Sequence, residues 1–217
     1  MPKESKTERI KRTKKIVARL KELYPDAHCE LNFKTVHQLM VATILSAQCT
    51  DERVNIVTKP LFKKYKSIED FAGADLKELG QDIYSTGFYS AKAKSIKNSA
   101  IKLLKDFGGK IPRTLTELTT LAGVGRKTGS VVLGVGYNIA EGIVVDTHVG
   151  RISRLLKLTN NKEASKIEND LIKLINPDDW IIFSHLMIFH GRSICIARRP
   201  KCKECKLNKL CPSAKRD

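Results

Sequence analysis

The chain has 217 residues, enough for one large domain or two modest ones with a buried core. Gly and Pro contribute only 13 and 7 residues, which is few for a fold built from many tight turns. Hydrophobic residues make up 41% and aromatic residues 6% of the chain, a composition that argues against intrinsic disorder and collagen-like repeats.

The formal net charge of +17 is large for this length and is concentrated at the two ends of the chain. Residues 1–22 carry +6 and residues 192–217 carry +7, so the 169 residues between them carry only +4. Basic surface that neutralises phosphates is the main source of nucleic-acid affinity, so a polyanion is the favoured partner. An anionic membrane surface and simple Lys-rich solubility are the alternatives.

Targeting and membrane segments are not predicted. No segment approaches the roughly 18 uninterrupted apolar residues of a membrane span. Residues 1–22 mix basic residues with Glu4, Glu8 and Glu22 and lack a central apolar stretch, which argues against a signal peptide or an organellar presequence. We therefore expect a cytoplasmic or nucleoid-associated protein.

Hydrophobic residues recur at helical spacing nearly throughout, so the chain is predicted to be all-α. Thr35 with Gln38, and Thr114 with Glu117, are two capping boxes that open helices. Residues 143–145 are β-branched, but no partner strand accompanies them.

Other residues predict where helices begin, break or end. A helix begins near Asp51, and Pro60 is expected to break or bend it. Ser90 is expected to cap a long helix that ends at Gly108. Asp146 is a candidate N-cap for a later helix.

Four cysteines near the C-terminus predict a metal site. They have the spacing C-x6-C-x2-C-x5-C and are Cys195, Cys202, Cys205 and Cys211. Two disulfides are the alternative, which a reducing compartment disfavours. Structural zinc usually has two C-x2-C pairs, whereas wider and unequal gaps suit an iron–sulfur cluster. Cys29 and Cys49 are predicted to be small buried residues instead of ligands.

Residues 121–128, LAGVGRKT, join two predicted helices through a turn that contains Gly123 and Gly125. Such a turn directs backbone N–H groups and the positive end of a helix dipole at a phosphate. It is not a P-loop, because Arg126 stands where that motif has Gly and no strand precedes it. An ordinary helix–turn–helix joint is the alternative.

Lys127 and Asp146 are candidate catalytic residues. Lys127 lies in the first turn of the second helix beside Arg126, and both the helix end and the cationic neighbour favour the neutral, nucleophilic amine. A phosphate-binding lysine is the alternative. Asp146 would act as its acid–base and electrostatic partner, or only as a helix cap.

Together these residues resemble the endonuclease III family of DNA glycosylases, in a combination that extends over essentially the whole chain. The resemblance lies in LSAQCTD at 45–51, GFYSAKA at 87–93, LAGVGRKT at 121–128, VDTHV at 145–149 and the four terminal cysteines. It implies a helix–hairpin–helix DNA glycosylase fold of two all-α domains with a DNA cleft between them.

The domain boundaries follow from the same resemblance. It implies a continuous helical domain at residues 27–138 that carries the helix–hairpin–helix motif at 114–137. It also implies a cluster domain, made of residues 1–26 and 139–217, in which residues 195–211 hold a [4Fe–4S] cluster.

The resemblance also assigns roles to individual residues. Lys127 would be the catalytic nucleophile and Asp146 the catalytic carboxylate. Gln48 would fill the space left by an extruded base, and Phe88 would act as a second wedge. The hairpin would contact the DNA backbone through Gly123, Val124, Gly125, Arg126 and Thr128. His148 and Asp51 would lie near the cleft, where capping or core roles are equally open.

The implied function is a bifunctional base-excision-repair enzyme. It would act as a monomer on double-stranded DNA, remove oxidised pyrimidines, and cleave the abasic strand by β-elimination through a lysine Schiff base. One alternative is a monofunctional mismatch glycosylase, which lacks the hairpin lysine and carries a further C-terminal domain, whereas this sequence stops six residues after Cys211. The other is a non-catalytic, zinc-dependent DNA-binding module.

Overall fold

The computed structural model describes residues 4–215, which form helices joined by short loops. No β-strand occurs in that range, so the prediction of an all-α chain is confirmed. None of the helices described has the length and apolar character needed to cross a membrane. In chain order the α-helices are α1 (Lys6–Leu23), α2 (Val36–Leu45), α3 (Asp51–Lys64), α4 (Ile68–Gly73), α5 (Leu76–Asp82), α6 (Tyr89–Phe107), α7 (Leu115–Leu118), α8 (Arg126–Tyr137), α9 (Thr147–Leu155), α10 (Ala164–Leu171) and α11 (Trp180–Ser193).

The chain divides into two compact units. One unit is Glu30–Glu141, and the other combines the chain before Glu30 with the chain after Glu141. The sequence prediction places the boundaries after residues 26 and 138, three residues earlier than the structure does at each junction.

Each unit has its own apolar core. In the Glu30–Glu141 unit, α2 packs against α8 while α6 packs against α4 and α5, and their fully buried side chains include Leu39, Phe71 and Ile96. In the other unit, α11 packs against α1 and α9 around Leu20 and Phe183. Burial of these side chains stabilises each helix more than its own propensity does.

In both predicted capping boxes the N-cap hydroxyl accepts the expected N–H, but the returning side chain does not accept from the N-cap backbone. The Thr35 hydroxyl accepts the Gln38 N–H at 3.2 Å, but the Gln38 side chain accepts from the Lys34 N–H instead of from Thr35. Thr114 likewise accepts the Glu117 N–H, and the Glu117 carboxylate accepts from the Thr114 hydroxyl at 2.6 Å. Both threonines are therefore N-caps, although the returning side chain reaches a different donor.

The structure excludes one of the two outcomes expected at Pro60 and corrects the expected start of α6. α3 is not broken at Pro60 but continues to Lys64, since proline removes a single N–H donor and the helix bonds on either side remain. Ser90 is not a cap, because α6 begins at Tyr89 with Phe88 as its N-cap residue, two residues earlier than predicted. Its C-terminus is as predicted, at Gly108 with a left-handed φ of 55°.

A buried histidine in α2 makes the stability of the fold pH-dependent. His37 is 8% exposed, its ring lies edge-on to Phe71 at 5.3 Å, and its Nε2 has no hydrogen-bond partner among the residues described. Burial lowers the pKa of His37 from 6.5 to about 4, and the Glu69 carboxylate opposes that shift. Between those values the unfolded chain binds a proton that the folded chain does not.

We therefore expect His37 to destabilise the protein as the pH falls. Its contribution, which is fully present above pH 6.5, should fall by about 2–3 kcal/mol between pH 7.5 and 4.5. Urea unfolding at the two pH values checks this, because His37→Leu should lose less free energy of unfolding on acidification than the wild type. The exposed His28, replaced by Gln, is the matched control. Equal losses for His37→Leu and the wild type would refute the assignment.

Candidate active site, hairpin and cysteine cavity

The turn between α7 and α8 is a tight hairpin set by glycines. Gly123 has φ +75°, and a Cβ on it would lie 2.7 Å from the Ser95 Cβ. A Cβ on Gly129 would lie 2.7 Å from Leu115, so glycine also allows α7 and α8 to pack closely. Gly123 must be glycine because of its left-handed backbone and its close contact with Ser95, and Gly129 because of its close contact with Leu115.

The hairpin presents some of its predicted contact residues and buries another. Gly125 is the N-cap of α8 with no side-chain hydrogen bond, and Gly125, Arg126 and Lys127 are exposed. Thr128 is half-buried. Val124 is only 3% exposed and its N–H donates to the Leu121 carbonyl at 3.1 Å, so that amide is engaged within the turn. The positive end of the α8 dipole, without a side-chain cap, lies at the exposed part of the turn.

We expect Gly123→Ala to lower the free energy of unfolding by about 1–3 kcal/mol, because the left-handed φ and the Ser95 contact both oppose a side chain. Gly125→Ala is the matched control, since Gly125 has an extended φ of −83° and open space around its Cβ position. It should change stability by about 0.5 kcal/mol or less. Denaturant unfolding compares the two variants, and equal losses would contradict the strain argument.

Lys127 and Asp146 lie in different units, and each is placed at the start of a helix. Lys127 is exposed in the first turn of α8. Asp146 is the half-buried N-cap of α9, and its Oδ1 accepts the Val149 N–H at 2.7 Å. This bond fixes the carboxylate through one oxygen and leaves Oδ2 outside the cap.

Two histidines are associated with the N-terminus of α9: His148 lies in its first turn, and His185 interacts electrostatically with its N-cap Asp146. His148 is half-buried, its Nδ1 has no hydrogen-bond partner among the residues described, and its ring lies where a Cβ on Gly191 would be. Burial lowers the pKa of His185, His28 lowers it further, and the Asp146 carboxylate opposes the shift. Asp51, the other residue of open role, is the first residue of α3 and is half-buried.

Gln48 and Phe88 share a feature that the sequence did not predict, a left-handed backbone. Their φ values are 55° and 48°, and both residues are exposed, Phe88 by 68%. Two other non-glycine residues in the described chain have positive φ, Asn138 and Lys157, and both simply follow a helix C-terminus. Strained backbone of this kind persists only where the surroundings impose it and is frequent at functional sites.

The four C-terminal cysteines line one cavity, together with apolar residues such as Ile152 and Leu207, and none of the four is in a disulfide. No three Cys, His, Asp or Glu side chains within residues 4–215 are close enough to hold a single metal ion. Cys29 and Cys49 are half-buried and outside the cavity, not fully buried as predicted.

Buried thiols and nearby donors define the electrostatics of this cavity. Burial raises the pKa of Cys205 and of Cys211, and the neighbouring thiols raise both further. Arg151 Nη1 lies 3.7 Å from the Cys195 Sγ, and His190 Nε2 lies 3.6 Å from the Cys205 Sγ. A cationic group inside the cavity would stabilise the thiolates, and these donors would hydrogen-bond to their sulfurs. The donor set fits an iron–sulfur cluster.

Comparison with known proteins identifies the class. Residues 41–177 match the model of the HhH-GPD superfamily of base excision DNA repair proteins. The chain is 50% identical over 203 residues to the Endonuclease III of Synechocystis sp., covering 94% of this chain and 93% of that protein. It is 44% identical over 191 residues to the Endonuclease III of Bacillus subtilis, covering 88% and 87%.

Comparison of the fold with solved structures identifies the same class of protein. Two solved structures, a non-covalent Endonuclease III–DNA complex and a trapped Endonuclease III–DNA covalent intermediate, each match with a TM-score of 0.90. Both are 40% identical and cover 94% of this chain and 96% of theirs. The all-α fold with its hairpin is therefore that of the helix–hairpin–helix repair proteins, which confirms the predicted fold class. Within that class, the chain belongs to the endonuclease III family.

Proposed function

We propose that this protein is a bifunctional base-excision-repair enzyme. It removes oxidised pyrimidines from duplex DNA as a glycosylase and then cleaves the abasic strand as a lyase. The observation that carries the proposal is an exposed lysine, Lys127, at the uncapped N-terminus of α8 in a hairpin of the helix–hairpin–helix class. The relatives named Endonuclease III, and the covalent Endonuclease III–DNA intermediate, support the lyase step.

Lys127 acts as the nucleophile in the proposed reaction. Its amine lone pair forms a bond to C1′ of the extruded nucleotide while the C1′–N glycosidic bond breaks, and the base departs with the two electrons of that broken bond. Ring opening gives a Schiff base between Nζ and C1′. Loss of a 2′ proton then breaks the C3′–O bond, so base removal and strand cleavage share one intermediate.

Asp146 is the carboxylate that supports this chemistry. Its Oδ1 is held by the Val149 N–H, so the negative charge has a fixed orientation at no further ordering cost. We propose that Oδ2 assists deprotonation of the lysine and stabilises the cationic sugar as the glycosidic bond breaks.

The DNA contacts are proposed to divide between the hairpin and two exposed side chains. The exposed part of the Gly123–Thr128 turn binds backbone phosphates and carries no sequence information. Gln48 fills the space left by the extruded base, and Phe88 inserts beside it. Both side chains are exposed on left-handed backbone, which supports an inserting role.

Cys195, Cys202, Cys205 and Cys211 are proposed to hold a [4Fe–4S] cluster, which would supply structural stability to the C-terminal segment and take no part in bond breaking. The four cysteines line one cavity and none is in a disulfide, which supports joint ligation of a metal centre, and their wide, unequal spacing favours a cluster over a single zinc ion. The nearby Arg151 and His190 nitrogens would donate hydrogen bonds to two of its cysteine sulfurs.

Borohydride trapping tests the proposed function. Purified protein is mixed with duplex DNA that contains thymine glycol or an abasic site, with an undamaged duplex as the control. We expect a covalent protein–DNA adduct and a β-elimination product on damaged DNA only. Base release without adduct or strand cleavage would favour the monofunctional alternative, and binding without base release would favour the non-catalytic module.

Cys202→Ala should reduce bound iron and the yellow-brown colour of the isolated protein, because Cys202 is one of the four thiols that line the cavity. Cys29→Ala is the matched control, since Cys29 lies outside it and should leave iron unchanged. Iron and sulfide content together with visible absorption measure the effect. A colourless wild-type protein with stoichiometric zinc would overturn the cluster assignment.

A further inference from the structure

Lys92 is a buried lysine that the proposed chemistry does not use. It lies in α6 and is only 5% exposed. Its Nζ donates to the carbonyls of Leu45 at 2.8 Å, Ala47 at 2.9 Å and Thr86 at 2.8 Å. An ammonium group has three protons, so every donor of this side chain is used.

The three carbonyls belong to two separate segments of the chain. Leu45 is the last residue of α2, Ala47 directly precedes Gln48, and Thr86 lies two residues before Phe88. Lys92 therefore connects the two segments that carry the exposed, left-handed residues. The Thr86 hydroxyl donates to the Ile83 carbonyl at 2.8 Å, which further orders the second segment.

Burying an ammonium group has a desolvation cost that burying an apolar side chain does not have. All three hydrogen-bond partners of the Lys92 ammonium are backbone carbonyls, so their dipoles and not a carboxylate offset the burial of the charge. The same burial lowers the pKa of Lys92, while the Cys49 thiol opposes that shift. Methionine has a similar length and would avoid the desolvation cost of a buried charge. The three contacts therefore point to a requirement for the hydrogen bonds of Lys92, and not only for the packing of its side chain.

We propose that Lys92 is a positioning residue that fixes the Gln48 and Phe88 loops against each other, so that both side chains insert together when a nucleotide is extruded. This inference rests on the proposed function, because it deepens the role of the same two side chains. Left-handed backbone at Gln48 and Phe88 is unfavourable unless neighbouring contacts impose it, and Lys92 supplies contacts beside both residues.

Three variants separate positioning from packing. Lys92→Met keeps the length of the side chain and removes all three donors. Lys92→Arg keeps the charge, but a planar guanidinium cannot reproduce three bonds that converge on one nitrogen. Lys97→Met is the matched control, because Lys97 lies in the same helix and its Nζ donates to a single carbonyl, that of Ala74, at 2.7 Å.

Two single-turnover rates and one exchange measurement form the test. The rates are base excision from duplex DNA with thymine glycol, which requires base extrusion, and adduct formation on the same duplex with a preformed abasic site. We expect both Lys92 variants to slow excision by about tenfold or more and adduct formation by about threefold or less. Hydrogen exchange should accelerate at residues 45–50 and 84–89 together, and Lys97→Met should change none of these values.

Each outcome of these measurements either supports or overturns the proposed role of Lys92. Excision at the wild-type rate, or faster exchange in only one of the two segments, would overturn it for a folded Lys92 variant. If Lys92→Met does not fold, Lys92→Arg gives the same comparison. Loss of cooperative unfolding in both variants would also overturn it, because Lys92 would then support the whole unit. A wild-type protein without excision activity would refute the proposed function, while the exchange measurement still tests Lys92.

Discussion

Replacing Lys127 with alanine is expected to abolish the borohydride-trapped adduct on damaged duplex DNA. The variant keeps the hairpin backbone and the helix end that bind phosphate, so its affinity for abasic-site DNA should change little. It has no amine to attack C1′, so base excision and strand cleavage should each fall by about 1,000-fold or more. Gel analysis of trapped adducts and single-turnover rates measure the effect.

The control for Lys127→Ala is another exposed lysine. Lys105, in the last turn of α6, carries the same charge on the same unit but lies outside the hairpin, so Lys105→Ala should form the adduct at full yield. An adduct at full yield in Lys127→Ala itself would mean that a different amine is the nucleophile. Retained base release without any adduct would mean that a water molecule attacks the sugar.

Much of the fold could be predicted because local signals and burial agree. The capping threonines Thr35 and Thr114 do begin helices, and Gly108 ends one. The short helices α4 and α5 were not predicted, since six or seven residues are too few for a clear 3.6-residue period. Their N-caps, Ser67 and Asp75, were the available signals.

The candidate site was less visible in the sequence than the fold. Gly123 signals its left-handed turn because glycine favours positive φ, whereas Gln48 and Phe88 adopt the same region without any such signal. Phe88 is also the N-cap residue of α6, two positions before Ser90, which was the expected cap. Lys92 bonds to carbonyls up to 47 residues away, and only the folded chain brings these groups together.

Asp146→Asn is expected to reduce base excision by about 100-fold or more while leaving the fold intact. Asparagine is as good an N-cap as aspartate, so the bond from the Val149 N–H and the start of α9 should be retained. What the variant loses is the negative charge that supports the lysine and the cationic sugar. Single-turnover excision rates, DNA affinity and a thermal melt together separate these two roles.

A second N-cap aspartate provides the matched control for Asp146→Asn. Asp75 is the exposed N-cap of α5 and accepts the Lys77 and Glu78 N–H groups at 2.9 Å, so Asp75→Asn makes the same chemical change in another helix. It should keep wild-type excision rates. If Asp146→Asn also excises at the wild-type rate, Asp146 is only a helix cap. If its thermal stability falls with its activity, the capping bond is what the variant lost. Only a folded, DNA-binding and slow Asp146→Asn protein assigns the carboxylate charge to the chemistry.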